Sequence, residues 1–127
     1  MQHCLPVGLY IGSIIELNTT LRVDSQAPLS VWQLLVEAIP AGSDGTPAAR
    51  NLVHNVLVTR WTSADQRSDG KRYRFRELRP MNIPAGARAE RLRLIGWVQD
   101  AQGRVLSAAQ SVCTAQAQTP VLPENPA

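Results

Sequence analysis

The sequence predicts an all-β protein, an immunoglobulin-like antiparallel β-sandwich of about seven strands. Residues 14–24 alternate strictly between apolar and polar side chains, which is the period of a half-buried strand. Other short apolar segments are separated at close intervals by turn-forming residues, and no segment has the 3.6-residue apolar stripe of a helix. The 127 residues, 44% of them hydrophobic, suit one domain with its own core. A small β-barrel is the alternative architecture.

The first two strands are predicted at LPVGLYI, residues 5–11, and at IIELNTTLRVD, residues 14–24. In the second of these, alternate apolar residues share one face, and the residues between them are polar. We therefore expect that face to point into the core, with Ile15, Leu17, Leu21 and Val23 buried.

The third strand is predicted at LSVWQLLVEA, residues 29–38, bracketed by two prolines. The polar side chains of Gln33 and Glu37 share one face, which we expect to be solvated. The opposite face would then supply Trp32, Leu34 and Val36 to the core.

A loop rich in Gly, Pro, Ser and Asp is predicted at residues 40–50, and residues 51–61 follow as a β-branched fourth strand. We expect Val56 and Val58 of this strand in the core. Asp69-Gly70 then predicts a two-residue type I′ turn. This turn would join the fourth strand to a fifth.

The fifth strand is predicted in KRYRFREL, residues 71–78, with Tyr73 and Phe75 toward the core. The sixth is predicted at residues 91–99, and the seventh at VLSAAQSV, which follows a four-residue turn. Leu92, Leu94 and Val98 of the sixth strand should be buried. The sandwich would span residues 1–117, and residues 118–127 read as a disordered, proline-rich tail.

Arginines form the main polar feature of the sequence, which carries a net charge of +3. The fifth strand presents three of them on one face, and the sixth strand begins with two more. These are Arg72, Arg74, Arg76, Arg91 and Arg93, and they predict a surface that binds an anion or a protein partner. Nucleic acid is disfavoured as that partner because Tyr73 and Phe75 point inward and leave no stacking platform. A merely solvated face that prevents strand aggregation is the simpler interpretation.

The chain has two cysteines, Cys4 just before the first predicted strand and Cys113 just after the last. Because these strands can lie side by side in such a sandwich, we predict a disulfide between them. In the chain-entropy picture it would stabilise the fold by about 3–5 kcal/mol. Two free thiols in a reducing compartment are the alternative. Neither a Cys-x-x-Cys motif nor zinc-ligand spacing is present, so we predict no metal and no cofactor.

No hydrolase motif, phosphate-binding loop or carboxylate pair accompanies these features, and we predict that the chain is not an enzyme. His54 is expected to pin the neighbouring loop by a hydrogen bond. Trp97 falls on the nominally outer face of the sixth strand. We expect a loop such as 40–50 to cover it; if exposed, it would be a candidate interaction residue.

Two segments carry a resemblance to a known family. In LLVEAIPAGSDGTPAARNLVHNVLVTRW, a strand ending at Glu37 leads through loop 40–50 to His54-Asn55 and Arg60. This segment, together with the hairpin GWVQDAQGRVLSAAQ, resembles bacterial exported thioredoxin-like proteins of the outer-membrane-protein-28-related group. The similarity covers about residues 15–112. It implies an accessory immunoglobulin-like domain and an exported setting, but no redox activity, because the thioredoxin domain and its Cys-x-x-Cys motif are missing.

We therefore predict a non-catalytic accessory or protein-interaction domain of an exported bacterial protein, periplasmic or secreted. A cytoplasmic module that binds an anionic partner through its arginines is one alternative. A thiol redox or metal-binding protein using Cys4 and Cys113 is another. The apolar run that ends at Glu16 is shorter than the roughly 20 residues that span a bilayer, so no membrane span is expected.

Overall fold

A computed structural model of the chain describes residues 2–7, 10–24, 26–43, 45 and 47–113. Within these residues, eight strands form two four-stranded antiparallel sheets. The strands are β1 (Gln2–Val7), β2 (Tyr10–Thr19), β3 (Leu29–Ile39), β4 (Arg50–Trp61), β5 (Arg67–Asp69), β6 (Arg72–Asn82), β7 (Leu92–Gln99) and β8 (Val105–Val112). Short 3₁₀ turns lie at Ser63–Asp65 and Ala89–Arg91. The predicted tail, 118–127, lies outside the described residues.

Sheet 1 has the strand order β1-β2-β6-β5, and sheet 2 has the order β4-β3-β7-β8. If the strands are lettered in chain order and β4 is counted as an extra strand C′, the two orders become A-B-E-D and C′-C-F-G. These are the two sheets of an immunoglobulin-like sandwich. The predicted fold class is confirmed.

The additional strand is β5, which ends at Asp69. Asp69 pairs with Arg72, so the two turn residues are Gly70 and Lys71 rather than the predicted Asp69 and Gly70. Gly70 has a φ of 67°, and the turn joins the three-residue β5 to β6 within sheet 1. The expectation that this turn joins residues 51–61 to the next strand was wrong. β4 pairs with β3 in sheet 2, and the chain then turns at Thr62, whose amide donates to the Asp65 carboxylate at 2.8 Å.

The predicted core is correct where one face of a strand is clearly polar. Of the predicted residues, eight are buried: Ile15, Leu17, Val23, Val36, Phe75, Leu92, Leu94 and Val98. Among them, Val36 is buried although it lies on the outer side of β3, in the row of Arg93. Tyr73 is partly buried against the same core. Leu21 was predicted wrongly: it is 58% exposed, because β2 ends at Thr19 and the chain leaves the sheet.

The face assignment of β3 was also wrong. Leu29, Val31 and Leu35 point into the sandwich together with Gln33, and Trp32 and Leu34 lie on the opposite face and are only partly buried. Apolar side chains lie on both faces of β3, so the alternation of polar and apolar residues did not show which face is buried. The amide oxygen of Gln33 accepts a hydrogen bond from the Ser13 hydroxyl, which in turn accepts one from Gln2 Nε2, whereas Gln33 Nε2 has no hydrogen-bond partner among the described residues.

The same reversal applies to β4, because Val56 and Val58 point outward and are 46% and 49% exposed. The inward side of this edge strand carries Leu57 and the buried Trp61. Trp61 stacks on Phe75 with ring centroids 5.1 Å apart, and its Nε1 donates to Glu77 at 3.1 Å.

The predicted bridge ties the two ends of the described chain together. The sulfurs of Cys4 and Cys113 lie 2.06 Å apart, at disulfide distance, with their Cα atoms separated by 5.3 Å. Both cysteines are buried, and they pack with one of the two apolar clusters of the core. The bridge joins β1 of sheet 1 to the end of β8 in sheet 2.

Candidate protein-interaction surface

The outer face of sheet 2 is apolar. Residues paired across antiparallel strands present their side chains on the same face, so the register aligns side chains in rows. One row holds Val58, Trp32, Trp97 and Ala108, and the next holds Val56, Leu34, Ile95 and Gln110. We call the six large members of these rows the apolar face: Trp32, Leu34, Val56, Val58, Ile95 and Trp97. None of the six is fully buried.

The centre of the apolar face is a pair of stacked indoles. Trp32 and Trp97 have ring centroids 5.5 Å apart and planes within 7° of parallel. Trp97 Nε1 donates to Gln99 Oε1 at 3.0 Å, which satisfies its polar atom. Trp97 is partly buried, and the ring contact that the structure gives it is the stack with Trp32. Loop 40–50, which was expected to cover Trp97, begins beyond Ile39, seven residues or roughly 23 Å along β3 from Trp32.

The charged residues on this side of sheet 2 are arginines. Arg60 lies in register with Ser30, in the row beyond Trp32, and no hydrogen bond or ion pair holds its guanidinium within the described part of the chain. Arg93 lies in the row of Val36, and its Nη2 donates to Asn51 at 3.0 Å. The apolar face is thus flanked at both ends by basic side chains, and among the described residues no acidic side chain falls in these rows.

The β4 edge borders the apolar face. In the part of the chain that the structure describes, β4 pairs only with β3, so its other side leaves backbone groups without a strand partner. At 12 residues with no proline, it is a long edge of the type to which another strand can be added.

A β-bulge interrupts the pairing of β4 with β3 at His54. Leu35 pairs with Asn55 and Val36 with Val53, so His54 is the extra residue. Its Nε2 lies 2.9 Å from Glu37 Oε1, and the other oxygen of Glu37 accepts from the Arg88 amide at 3.3 Å. Glu37 was predicted to face solvent, which was wrong: it is buried.

The hydrogen bond from His54 is the main reason that the pKa of Glu37 lies below its usual value, and the Arg88 amide lowers this pKa further. His54 therefore connects β4 to a charged carboxylate and, through it, to the segment that precedes β7. The structure thus gives the histidine singled out in the sequence a bonding role in sheet 2.

The predicted arginine set is divided between the two sheets. Arg72, Arg74 and Arg76 share the outer face of sheet 1, and Arg67, which sequence reasoning missed, pairs with Arg74 there. The two other members lie elsewhere: Arg91 ends a 3₁₀ turn, and Arg93 lies on sheet 2. We call the four side chains Arg67, Arg72, Arg74 and Arg76 the arginine cluster.

The arginine cluster is partly neutralised by its neighbours. Arg76 Nε lies 3.5 Å from a carboxylate oxygen of Glu16, and Arg72 Nη2 donates to the Asn18 carbonyl at 3.2 Å. An exposed ion pair of this kind contributes little to stability. The guanidinium of Arg74 nonetheless has no hydrogen bond or ion pair within the described residues.

A shallow depression lies at the end of the sandwich between the β2–β3 loop and the β7–β8 turn, lined in part by Leu21, Val23 and Leu106. Two acidic residues, Asp24 and Asp100, also line it, and Asp100 is hydrogen-bonded within the β7–β8 turn. The Asp100 carboxylate accepts from the amides of Gln102 and Arg104, and the Arg104 amide is the main cause of its lowered pKa. This arrangement stabilises the turn.

The described residues include neither a free thiol nor a cluster of metal ligands. Both cysteines are bonded to each other, and no group of three His, Cys, Asp or Glu side chains gathers there as metal ligands. None of the described helical segments has the length and apolar character to cross a membrane.

Comparison with known proteins identifies no family for this chain. No protein-family model, no curated protein and no solved structure matches the chain. The apolar face and the arginine cluster are therefore the features that bear on function.

Proposed function

We propose that this chain is a non-catalytic protein-interaction domain of an exported bacterial protein, and that it binds through the apolar face. The observation that carries the proposal is the stacked pair Trp32–Trp97 on an outer sheet surface, flanked by the half-exposed Val56 and Val58. Large contiguous apolar patches on folded proteins mark interaction sites. Tryptophan is among the residues that contribute most binding energy at such sites.

The disulfide supports the exported setting. Disulfides persist in oxidising compartments such as the bacterial periplasm and are rare in the cytosol. The Cys4–Cys113 bridge spans a sequence separation of 109, at which it contributes about 4–5 kcal/mol in the chain-entropy model. A fold that depends on this bridge would be less stable in a reducing cytoplasm. The resemblance to exported thioredoxin-like proteins points to the same compartment.

The non-catalytic assignment is supported by the way in which the buried polar groups are used. Glu37 bonds to His54 and to the Arg88 amide, and Ser13 bonds to Gln2 and Gln33. Each group holds two or more segments of the fold together. A catalytic acid, base or nucleophile would instead need an open side directed at a substrate.

Anion binding by the arginine cluster is a second candidate function, favoured by the gathering of four guanidinium groups on the outer face of sheet 1. Its affinity would fall steeply with salt, whereas binding through the apolar face would change little. Salt dependence therefore separates the two candidates.

The proposal is tested by the native size of the tagged chain in periplasmic extract. We expect the wild type to migrate in a complex larger than its 13.9 kDa monomer. The variant V56K/V58K should shift to the monomer position, because two charges would have to be buried in the contact. The matched control is Leu78→Lys, at a residue 54% exposed in sheet 1, and it should leave the complex intact.

A wild type that migrates as a monomer would contradict the proposal. So would a complex that survives in V56K/V58K but is lost in Arg72→Glu or Arg74→Glu, a result that would favour the arginine cluster instead.

A further inference from the structure

We infer that the partner on the apolar face is a second copy of this chain, seated face to face about a twofold axis. This inference rests on the proposed function and names the occupant of the same surface. Three features of the described chain support it: the chemistry of the face, its area, and the positions of its arginines.

The chemistry of the apolar face is that of a permanent interface between identical subunits. Homodimer interfaces are more apolar than transient contacts and depleted of charge at the centre. The two central rows hold six large apolar side chains, with Ala108 and Gln110 as their β8 members, and no charged side chain. The next row adds Val53 and Val112, both 49% exposed.

The apolar face is the centre of a larger surface, the whole outer side of sheet 2, and the area of that surface is sufficient for a dimer. Four strands about 4.8 Å apart and eight residues long, at about 3.3 Å per residue, cover about 500 Å². Two copies would therefore bury about 1,000 Å² measured as a flat footprint. That value is about the lower limit for a specific interface, and the relief of the side chains raises the accessible area above it.

The arginines of sheet 2 are placed so that two copies need not bring them together. Arg60 lies on the edge strand β4, and Arg93 lies on β7 in the row on the far side of the two central rows. A twofold axis along the strands, between β3 and β7, places β4 of one copy over β8 of the other, and β7 over β3. Arg60 would then face Val105, and Arg93 would face Val36.

The same axis brings the indoles together. Trp32 on β3 of one copy would lie over Trp97 on β7 of the other, and the four rings would form the centre of the interface. Two aligned sheets pack about 10 Å apart with interdigitated side chains, which the half-exposed valines beside the tryptophans allow.

The test is sedimentation equilibrium of the purified, disulfide-bonded chain from 1 to 100 μM. We expect a species of twice 13.9 kDa that V56K/V58K converts to monomer, with a dissociation constant raised at least 100-fold. Leu78→Lys should sediment as the wild type does. Because Val56 and Val58 are exposed, the double variant should keep the urea midpoint of a wild-type monomer, and its circular dichroism should match.

Three results would overturn the inference. A wild type that stays monomeric at 100 μM would exclude the dimer; if the chain still forms a complex in periplasmic extract, a different protein occupies the face and the proposed function stands. A dimer that survives in V56K/V58K but is lost in Asn55→Pro would place the contact at the β4 edge. A dimer lost equally in Leu78→Lys would place it on sheet 1.

Discussion

Gly96 shows how closely the two sheets approach at the level of single residues. A Cβ at this position would lie 2.8 Å from Ile15 Cδ1 and 3.0 Å from Gln2 Nε2. Gly96→Ala should therefore lower the free energy of unfolding by about 1–3 kcal/mol, as overpacking does. The matched control is Gly12→Ala, whose Cβ would meet Leu78 Cδ1 at 3.4 Å and should cost less than about 1 kcal/mol. Urea denaturation measures both, and equal losses would contradict this packing.

Glu37 makes the stability of the domain depend on pH. Its pKa in the folded state lies below its usual value of 4.5, chiefly because of the bond to His54. The unfolded chain therefore binds the proton more tightly, so the contribution of Glu37 to stability is complete above its usual pKa of 4.5 and is lost as the pH falls below that value. In Glu37→Gln this loss should be smaller. The control Glu90→Gln, at an exposed carboxylate, should retain the wild-type slope, and identical slopes in all three proteins would contradict the assignment.

At the scale of elements, the β5–β6 hairpin depends on a left-handed residue. Gly70 has a φ of 67°, which costs a residue with a Cβ about 1–2 kcal/mol. Gly70→Ala should lower the unfolding free energy by about 1 kcal/mol. Gly70→Asn should lose less, because Asn tolerates this conformation. Thermal denaturation of both variants checks the prediction, and an alanine variant as stable as the wild type would contradict it.

The strands also show where sequence reasoning succeeds. The buried faces of β2 and β6 could be predicted because the opposite face of each strand is polar around Leu17 and Phe75. These two residues pair with each other in sheet 1. The buried face of β3 could not be predicted, since apolar side chains lie on both faces of the strand and the hydrogen bond that its inward Gln33 accepts comes from Ser13, 20 residues away in sequence. The bulge at His54 and the Trp32–Trp97 stack depend on strand register, which no local pattern specifies.

For the whole molecule, the disulfide is the main covalent constraint. The positions of Cys4 and Cys113 near the ends of the predicted strands made them a candidate pair, and the fold joins them by placing β1 beside β8. Reduction should lower the free energy of unfolding by about 4–5 kcal/mol. Urea denaturation with and without reductant measures this, and the variant Cys4→Ser/Cys113→Ser should not respond to reductant. Equal midpoints for the wild type in both conditions would contradict the prediction.

The functional surface was only partly accessible to sequence reasoning. Arginines stand out in a sequence, whereas an apolar outer face looks the same as a core face until the register of four strands is known. The interpretation of Trp97 as an interaction residue, conditional on its not being covered by a loop, identified one member. Trp32, Val56 and Val58 were assigned to the core instead.

Photo-crosslinking would show whether the chain binds protein through the apolar face. p-Benzoylphenylalanine would replace Val56 in one exported variant and Leu78 in another, two exposed positions on opposite sheets. We predict a discrete crosslinked species from position 56, of either the chain with itself or the chain with another protein, and none from position 78. Crosslinks from position 78 alone, or from neither position, would contradict binding through the apolar face.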